Sequence, residues 1–576
     1  MENPSENKYL ILIIVLTTAA LFTGFGSLPE SHARQNPAQG WIYGTVSDTQ
    51  NQPVSGVQVN LISRAADEPR QLQTALSQGN GSFALQLPED LDEKAFSDDP
   101  ALTFNRAHFE LTTRPLTEQE IQTLKNDRSL TLTEITLERE ITAAFWVATA
   151  VFGGMLILIA TGFLHNTLAS LAGIAAVFAV SYLGSALSED LFIFTFPRAL
   201  HYIDWNVIFL IMGMMMVIAV VENTGVFHWL AYFAYRISGG RMWVLLPVLM
   251  LITGVSSAVL DNVTTMLLMT PFTVQIAIAL GISPLALLLP EVFASNVIGV
   301  STLIGTPTNI LIGSYAEISF NDFLINLTPG VLLSFIGLTI YSWLVYRKEL
   351  TQAKTGSPVL LEKLAERGRI TNPKALKKAG WVGLGMLLLF VFGENIHLLP
   401  SVTALMGATA LLVWLRPDVE EMIGAVDWTT LVFFMSLFMV VGAIQEVGLI
   451  SLIASWIGDL VGTNLGLAMV VLTTLSAVLS MIVANIPFTA AMLPVVGFLS
   501  TTVPGTEGKV LFYCLSVGAA MGGNGSLIGA SANMITAGIA ERAGYKITYN
   551  YFLKKGFPAL LITVGLSLGW LFIRFR

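Results

Sequence analysis

The stretch that decides the fold lies near the C-terminus and has a partner in the first half of the chain. Residues 522–533 read GGNGSLIGASAN, and residues 301–309 read STLIGTPTN. The two stretches align on a shared Leu-Ile-Gly, which pairs Leu303 with Leu527. Each interrupts an apolar run, and lipid-exposed backbone tolerates such a break only against protein or a water-filled cavity. The pair therefore predicts broken membrane helices at corresponding positions of two halves.

Two further anchors keep nearly the same register. Asp204-Trp205 recurs as Asp427-Trp428, and Asn262 recurs as Asn485 at the identical spacing. The Leu-Ile-Gly pair is spaced only one position further apart. Three separated anchors in so close a register predict an internal duplication. We expect a first repeat over 141–350 and a second over 379–576, joined by a basic cytoplasmic linker over 351–378.

The composition identifies the solvent of these repeats. Hydrophobic residues make up 54% of the chain and charged residues 12%, about half the roughly 25% charge of soluble domains. This composition predicts a polytopic α-helical membrane protein in a lipid bilayer. The net charge of −9 argues against nucleic acid as a partner. The single cysteine excludes a cysteine metal cluster, and the absence of HExxH, GxSxG and GxxxxGK[ST] motifs predicts a protein that is not an enzyme and needs no cofactor.

The N-terminal part has a different character. Residues 1–34 carry an apolar run that fits either a cleaved signal peptide or a retained anchor helix. Residues 35–140 show short alternating segments near 41–46, 57–61 and 82–87, separated by Asn, Gly and Pro. This pattern predicts a small antiparallel β-sandwich outside the cytoplasm. Its motif resembles the carboxypeptidase regulatory-like domain, which implies a fold and no particular chemistry.

Basic residues set the orientation, because they collect on the cytoplasmic side. The basic stretch 347–378 lies inside if each repeat makes five crossings and 243–281 folds back as a re-entrant hairpin. An odd number of crossings inverts the second repeat, which is the plan of many secondary transporters. The alternative, in which 243–281 crosses twice, keeps the same parity. The most consistent location is a bacterial inner membrane.

Polar interruptions in both repeats form the predicted site. The hairpin tips are centred on Asn262 and Asn485, whose oxygens also suit Na⁺. A broken helix offers free amides to an anion at one half-helix and free carbonyls to a cation at the other. The predicted substrate and ion site comprises Asp261, Asn262, Thr264, Thr265, Asn296, Gly305, Thr306, Pro307, Thr308 and Asn309 in the first repeat, and Asn485, Pro487, Thr489, Gly523, Asn524, Gly525, Ser526, Ser531 and Asn533 in the second.

Four carboxylates needed separate interpretation. Asp261 corresponds to Ala484, so the duplicated scaffold does not require it, and it is either a cation or proton ligand or a helix N-cap. Glu291 is a second candidate for proton or cation coupling, or else lies near the inner membrane boundary. Glu222 and Glu446 fall at predicted helix ends, where a solvated charge is expected.

At these residues the chain resembles the ion transporter superfamily. The motifs are LDNVTT at 260–265, EVFASN at 291–296, IGTPTN at 304–309, ANIPFT at 484–489 and the stretch at 522–533. They are similar to the pink-eyed-dilution protein and arsenite permease branch, in which a citrate-transporter-like domain is duplicated. The resemblance implies a homodimer with a scaffold and a moving transport domain, and access that alternates by an elevator-like motion.

The function expected is secondary active transport of a small inorganic or organic anion coupled to H⁺ or Na⁺. Dicarboxylate carriers of the superfamily have Ser-Asn-Thr at the tips, whereas this chain has Asp261-Asn262-Val263-Thr264. A related sodium/proton antiporter family uses Asp-Asn, so a Na⁺/H⁺ antiporter with Asp261 as the exchanging carboxylate is the first alternative. The second is a receptor that senses a ligand through its outer sandwich.

Overall fold

A computed structural model describes residues 40–63, 70–87, 100–132, 134–352, 365–366 and 368–575. The predicted leader at 1–34 and residues 353–364 and 367 of the predicted linker lie outside these residues. The chain divides into two compact units. The first comprises Met1–Ala148, Val180–Phe194 and Glu446–Gly448, and the second contains the remaining helices.

The first unit contains two four-stranded sheets. The strands are β1 (Trp41–Asp48), β2 (Gln58–Ser63), β3 (Arg70–Leu76), β4 (Ser82–Gln86), β5 (Pro100–Asn105), β6 (Thr112–Pro115), β7 (Ser129–Thr131) and β8 (Ile135–Leu137), with helix α1 (Glu118–Asp127) before β7. One sheet has the order β3-β2-β5-β6, and in the other β1 pairs with β4, β7 and β8. Alternating side chains such as Val59, Leu61 and Phe104 point into a shared apolar core.

The sheet formed by β1, β4, β7 and β8 differs from the prediction of a purely antiparallel sandwich. Strand β1 pairs antiparallel with β4 but parallel with both β7 and β8. Parallel pairing needs a long connection, and the segment between β1 and β7, which carries five strands and α1, provides it. The short β7 and β8 carry too little alternation to be recognised from their residues.

Glu446 is not solvated, in contrast to the sequence expectation. It is 7% exposed and belongs to the first unit, where it forms an ion pair with Arg106. The Arg139 guanidinium donates to the Glu446 carbonyl at 3.3 Å and lies 3.6 Å from the Asp48 carboxylate. Burial lowers the pKa of His108, whose Nε2 is 3.0 Å from the Ile193 carbonyl. The corresponding expectation for Glu222 holds in so far as it ends a helix with an exposed side chain.

The described residues of the first repeat form ten α-helices. They are α2 (Ala143–Thr161), α3 (Asn166–Ala179), α4 (Phe196–His201), α5 (Trp205–Glu222), α6 (Val226–Ser238), α7 (Met242–Val259), α8 (Asn262–Ala279), α9 (Leu285–Ile298), α10 (Pro307–Ala316) and α11 (Phe320–Thr351). A π-helical turn, Val180–Gly184, extends α3, and a 3₁₀ turn, Gly299–Ser301, follows α9.

The second repeat has the same elements in the same order. They are α12 (Pro373–Phe392), α13 (Pro400–Leu415), α14 (Val419–Gly424), α15 (Trp428–Glu446), α16 (Leu449–Val461), α17 (Leu465–Ile482), α18 (Asn485–Thr502), α19 (Val510–Gly522), α20 (Ser531–Arg542) and α21 (Tyr549–Phe575). The spacing between the first residues of α7 and α17 equals the spacing between the first residues of α8 and α18. The duplication therefore extends to element boundaries.

Helix α12 begins inside the segment predicted as linker. Asn372 caps it by accepting from the Ala375 amide, and Pro373 occupies the first turn. Lys378 lies on this helix, where its Nζ donates to the Trp414 carbonyl at 3.2 Å. Its long apolar stem allows the charge to reach the helix end. The basic residues here therefore belong partly to a helix.

Among the described residues, eleven helices are long and apolar enough to cross a membrane, which makes the chain a mostly helical membrane protein preceded by a small β-sheet region. These eleven include all four arms of the two hairpins, α7–α8 and α17–α18. An arm of 18 residues is about 27 Å long, so length alone fits both readings of the hairpins. Whether the hairpins are re-entrant or cross twice depends on where their tips lie relative to the broken helices.

Candidate functional site

The first break separates α9 from α10. Its backbone turns so tightly that a Cβ on Gly305 would lie 2.3 Å from the Gly299 carbonyl oxygen. Thr302 Oγ1 donates to the Ala258 carbonyl at the hairpin tip and accepts from the Gly305 amide at 3.0 Å. The break lies midway along the α9–α10 segment, so the hairpin tip that contacts it lies level with the middle of that segment. A re-entrant hairpin requires its tip to lie at this level.

The second break repeats these contacts. Ser526 Oγ donates to the Met481 carbonyl at the second tip and accepts from the Gly529 amide at 3.1 Å. Gly523 and Gly529 approach each other as Gly299 and Gly305 do, since a Cβ on Gly529 would lie 2.9 Å from the Gly523 carbonyl oxygen. The glycines are therefore required by close backbone approach.

In each break an asparagine side chain binds two backbone carbonyl groups. Asn309 Nδ2 donates to the Val300 and Thr302 carbonyls at 2.9 and 2.8 Å. Asn533 Nδ2 donates to the Gly523 and Ser526 carbonyls at 2.8 and 2.9 Å. Both side chains are fully buried. They satisfy carbonyls that the interrupted helices leave without an intrahelical partner.

Further amide contacts join the two repeats. Asn262 Nδ2 donates to Asn296 Oδ1 at 2.8 Å, and Asn296 Nδ2 donates to Asn524 Oδ1 at 2.9 Å and to Asn533 Oδ1 at 3.1 Å. Tip, broken helix and opposite repeat thus form one hydrogen-bonded asparagine network. A second link runs the other way, from Ser516 Oγ to Asn309 Oδ1 at 2.6 Å.

Another link between the repeats lies at the far end of α10. Lys509, which precedes α19, donates through Nζ to the Ala316 and Glu317 carbonyls, at 2.7 Å in both cases. A cation at a helix C-terminus complements the helix dipole. Hydrogen bonds therefore join the broken helices of the two repeats at both ends of α10.

Asp261 is the N-cap of α8. Its Oδ1 accepts from the Thr264 amide at 2.8 Å, and its Oδ2 accepts from Thr264 Oγ1 at 2.7 Å. Its φ of 152° falls outside the usual regions for a residue with a side chain. The capping interpretation therefore describes its present contacts, and it leaves the ligand interpretation open because the residue also lines a cavity.

This cavity has a volume of about 340 Å³ and is bounded by parts of both repeats. Asp261, Thr264 and Pro307 reach it from the first repeat, and Ile486 and Ser531 from the second. The remaining walls come from α5 and from the start of α15. The ionisable side chains among its lining residues are three carboxylates, Glu222, Asp261 and Asp427.

The hairpins and broken helices contribute four helix starts to this cavity, and their first turns differ between the repeats. In the first repeat Asp261 caps α8, and Thr306 caps α10 by accepting from the Asn309 amide at 3.3 Å. In the second repeat Ala484 and Ala530 occupy the N-cap positions of α18 and α20 and make no capping side-chain bond. The two helix starts without a capping side chain, and hence two positive dipole ends without a compensating group, are therefore in the second repeat.

A second cavity, of about 360 Å³, lies along the other end of α5. Asn206, Val207 and Leu210 line it, whereas residues from Ile211 to Glu222 line the first cavity. Ile310 of α10 borders both. The two cavities are thus separated by the contact of α10 with α5.

The other predicted site residues lie behind the cavity wall. Thr306 and Thr308 share a hydrogen bond of 2.9 Å, and Thr489 Oγ1 donates to the Asn485 carbonyl at 2.7 Å. The Thr265 hydroxyl has no partner among the described residues. Those that support the wall without lining it are Asn262, Thr265, Asn296, Gly305, Thr306, Thr308, Asn309, Asn485, Pro487, Thr489, Gly523, Asn524, Gly525, Ser526 and Asn533. Glu291 is also absent from the lining.

Asp427 and Thr273 were not predicted as site residues. Asp427 was recognised only as a repeat anchor, although its position matches that of Asp204 at the start of α5. Thr273 contacts Glu291, and nothing in its local sequence distinguishes it from other threonines of α8. A search for helix starts facing the breaks would have identified Asp427.

Paired helix breaks around one cavity between two repeats, in a chain of many apolar helices, define the class of membrane transporters. A protein-family model described as "Citrate transporter" matches residues 155–513. The chain belongs to this citrate transporter (CitMHS) family.

Curated relatives agree. An uncharacterized transporter of Mycobacterium tuberculosis is 35% identical over 430 residues, which are 74% of this chain and 98% of the relative. The human P protein is 32% identical over 505 residues, covering 74% of this chain and 59% of that protein. Among solved structures, the YdaH transporter of Alcanivorax borkumensis aligns with a TM-score of 0.47 at 16% identity, over 63% of this chain and 84% of that one.

Proposed function

We propose that this transporter is a secondary active carrier of a small anion, coupled to H⁺ or Na⁺. The observation that carries the proposal is a cavity, lined by described residues, to which both hairpin tips and the helix starts after both breaks contribute. Its volume of about 340 Å³ suits a small solute. The family description, citrate transporter, suggests a carboxylate as the first anion to test.

The anion would bind on the side of the second repeat. Ile486 and Ser531, in the first turns of α18 and α20, face the cavity, and both helices lack a capping side chain. Free amides and the positive ends of two helices attract an anion. In the first repeat Asp261 and Thr306 cap the corresponding helices, so the anion has less to gain there.

The coupling cation would bind on the side of the first repeat. Asp261 supplies a carboxylate at the cavity. Just behind the wall, Asn262 of the same tip and Asn485 of the second repeat's tip carry neutral oxygens of the kind Na⁺ accepts. A cation near Asp261 also offsets the repulsion between the substrate and the three carboxylates of the lining. Coupling therefore follows from charge balance, because each ion improves the site for the other.

One observation favours a second candidate, Na⁺/H⁺ antiport with Asp261 as the exchanging carboxylate. Among the described residues that line the cavity, Glu222, Asp261 and Asp427 are acidic and none is Lys, Arg or His. Such a lining attracts cations without help from an anion.

Access would alternate by movement of the broken helices along α5. The cavities at the two ends of α5 are separated by α10 through Ile310. A shift of α10 along α5 would enlarge one cavity at the expense of the other, an elevator-like motion. We place this movement in a homodimer in a bacterial inner membrane, with the sandwich outside the cytoplasm.

Flux in proteoliposomes tests the proposal. We expect labelled citrate to enter wild-type vesicles when an inward gradient of H⁺ or Na⁺ is imposed, and to enter more slowly without one. Asp261→Asn should retain exchange of citrate across the membrane but lose stimulation by the cation gradient. Matched vesicles with Glu541→Gln, a surface carboxylate outside the site, should behave as wild type. A sodium-driven pH change that needs no anion would replace the proposal with antiport, and no flux of any probe would reject both.

A further inference from the structure

A buried carboxyl group outside the cavity points to the identity of the coupling ion. Glu291 lies on α9 and is 0% exposed, as is Thr273 on α8. Thr273 Oγ1 is 2.9 Å from one carboxyl oxygen of Glu291 and 3.0 Å from the other. This hydroxyl is the single hydrogen-bonding partner of the Glu291 carboxyl among the described residues.

No positive charge among the described residues compensates Glu291, since none of their ion pairs within 4.0 Å involves its carboxyl group. The helices packed against α9 are α7, α8, α11, α19, α20 and α21. Their titratable residues are Asp322, Tyr341, Tyr346, Arg347, Lys348, Glu349, Tyr513, Cys514, Glu541, Arg542, Tyr549, Tyr551, Lys554, Lys555 and Arg574, with Arg241, Asp261 and Lys509 at the N-caps.

Burial of an ionised carboxylate in this way is strongly unfavourable, and one hydroxyl does not offset the loss of hydration. The neutral acid fits the same geometry, because its O–H donates to Thr273 Oγ1 while the Thr273 hydroxyl donates to the other oxygen. In this conformation the carboxyl group therefore carries a proton.

The duplicated scaffold does not need this pair. In the register that aligns Leu303 with Leu527, Glu291 corresponds to Leu515. In the register that aligns Asn262 with Asn485, Thr273 corresponds to Val496. Both counterparts are buried. Because apolar residues fill the same places in the second repeat, a costly buried acid in the first is best explained by a task.

The pair is placed where it can respond to the site. Helices α8 and α9 contact each other at two levels, through Asn262 and Asn296 in the asparagine network and through Thr273 and Glu291. Glu291 is five residues before Asn296, about 7.5 Å along the helix. A movement of the hairpin that changes the first contact therefore changes the second, and admits water to the carboxyl group.

We propose that Glu291 is a proton carrier of the transport cycle: it holds a proton in this conformation and releases it when α8 moves away from α9. The inference rests on the proposed function and selects H⁺ as a coupling ion. The step is the loss of one proton from the carboxylic acid to water, and its return on the opposite side of the membrane.

Infrared difference spectroscopy tests the protonation without a substrate. With the full chain in lipid, a pH increase should remove the carbonyl band of a buried carboxylic acid, and this band should be absent from Glu291→Gln and shifted in Thr273→Val. Asp261→Asn and Glu541→Gln are the controls that should retain it. A wild-type spectrum without such a band, or a band that survives in Glu291→Gln, would overturn the inference.

Proton flux then tests the role. Vesicles containing a pH-sensitive dye should show proton uptake with citrate in wild type and at least tenfold less in Glu291→Gln, which should still exchange internal for external citrate. Equal proton uptake in Glu291→Gln would show a structural acid and end the proposal. If no probe is transported by wild type, the proposed function fails, while the infrared result still decides whether Glu291 holds the proton.

Discussion

Asn296 of the first repeat and Asn524 of the second are joined side chain to side chain, with Asn296 Nδ2 donating to Asn524 Oδ1 at 2.9 Å. Both residues are fully buried. The same Asn296 accepts from Asn262 at the first hairpin tip. One amide therefore connects a tip, a broken helix and the opposite repeat, and its removal affects all three.

Asn296→Ala should abolish transport and reduce stability. It leaves the Asn262 amide without its acceptor and removes a donor from Asn524 and Asn533, and each buried polar group left unpaired costs about 1–3 kcal/mol. Uptake and thermal unfolding of the purified protein measure the two effects. Ser334→Ala, which removes a buried hydrogen bond to the Thr563 carbonyl between α11 and α21, is the matched control and should retain transport. Wild-type uptake by Asn296→Ala would contradict the role of the network.

Asn262→Ala and Asn485→Ala should each abolish transport while expression stays near normal. Both side chains lie in the first turn of a hairpin arm that begins at the tip, where their oxygens are the proposed cation ligands. Flux assays on vesicles with equal amounts of protein provide the measurement. If both variants transport like wild type, the tips do not take part in the site.

Ala484→Asp should inhibit uptake of an anion. The substitution places at the start of α18 the carboxylate that Asp261 places at the start of α8, so it repels an anion and can accept from the Ile486 amide. We expect the KM for citrate to rise at least tenfold. Ala484→Asn has a similar size and no charge, and should have a smaller effect. Equal effects of the two substitutions would point to sterics and against anion binding at this helix.

Met215→Cys, in a chain whose single cysteine is replaced by Cys514→Ser, tests the cavity and its orientation. Met215 lines the cavity at the end of α5 that the topology assigns to the cytoplasm. A membrane-impermeant thiol reagent should label it from the cytoplasmic side, and citrate should slow the labelling. Phe209→Cys, on α5 but outside both cavities, should remain unlabelled. Labelling of Met215→Cys from the outside alone would reverse the topology.

His108 makes the stability of the sandwich depend on pH. Burial lowers its pKa in the folded protein, whereas the unfolded value is about 6.5. Above about pH 6.5 the His108 side chain is neutral in both the folded and the unfolded protein, so it does not change the free energy of unfolding. Below this pH the unfolded state binds more protons and the free energy of unfolding falls. Limited proteolysis of the sandwich should therefore accelerate between about pH 7 and pH 5. His108→Gln should flatten this dependence and His201→Gln should not; an unchanged profile in His108→Gln would assign it to other groups.

The membrane class, the family and the small β-sheet region were predicted from the sequence and are confirmed. The duplication could be predicted because Asp204, Asn262 and Gly305 keep their spacing in the second half to within one residue. The breaks could be predicted because glycine and proline interrupt apolar runs. Local sequence carries such signals directly.

Contacts between distant residues carry no such signal. The pairing of Thr273 with Glu291 and of Asn296 with Asn524 depends on which helices cross, which periodicity does not specify. Likewise the burial of Glu446 depends on Arg106, 340 residues away in the chain. The second repeat was predicted to begin at 379, whereas α12 already begins at Pro373. Its lysines are typical of a linker, although they lie on a helix.

Because Lys509 forms hydrogen bonds to the end of α10, the first half of the polypeptide depends on the second for its stability. A fragment ending before Lys509 would leave the Ala316 and Glu317 carbonyls and the Asn309 side chain without the partners that the later half supplies. Neither gene half should yield a stable product alone, whereas the two expressed together should reassemble.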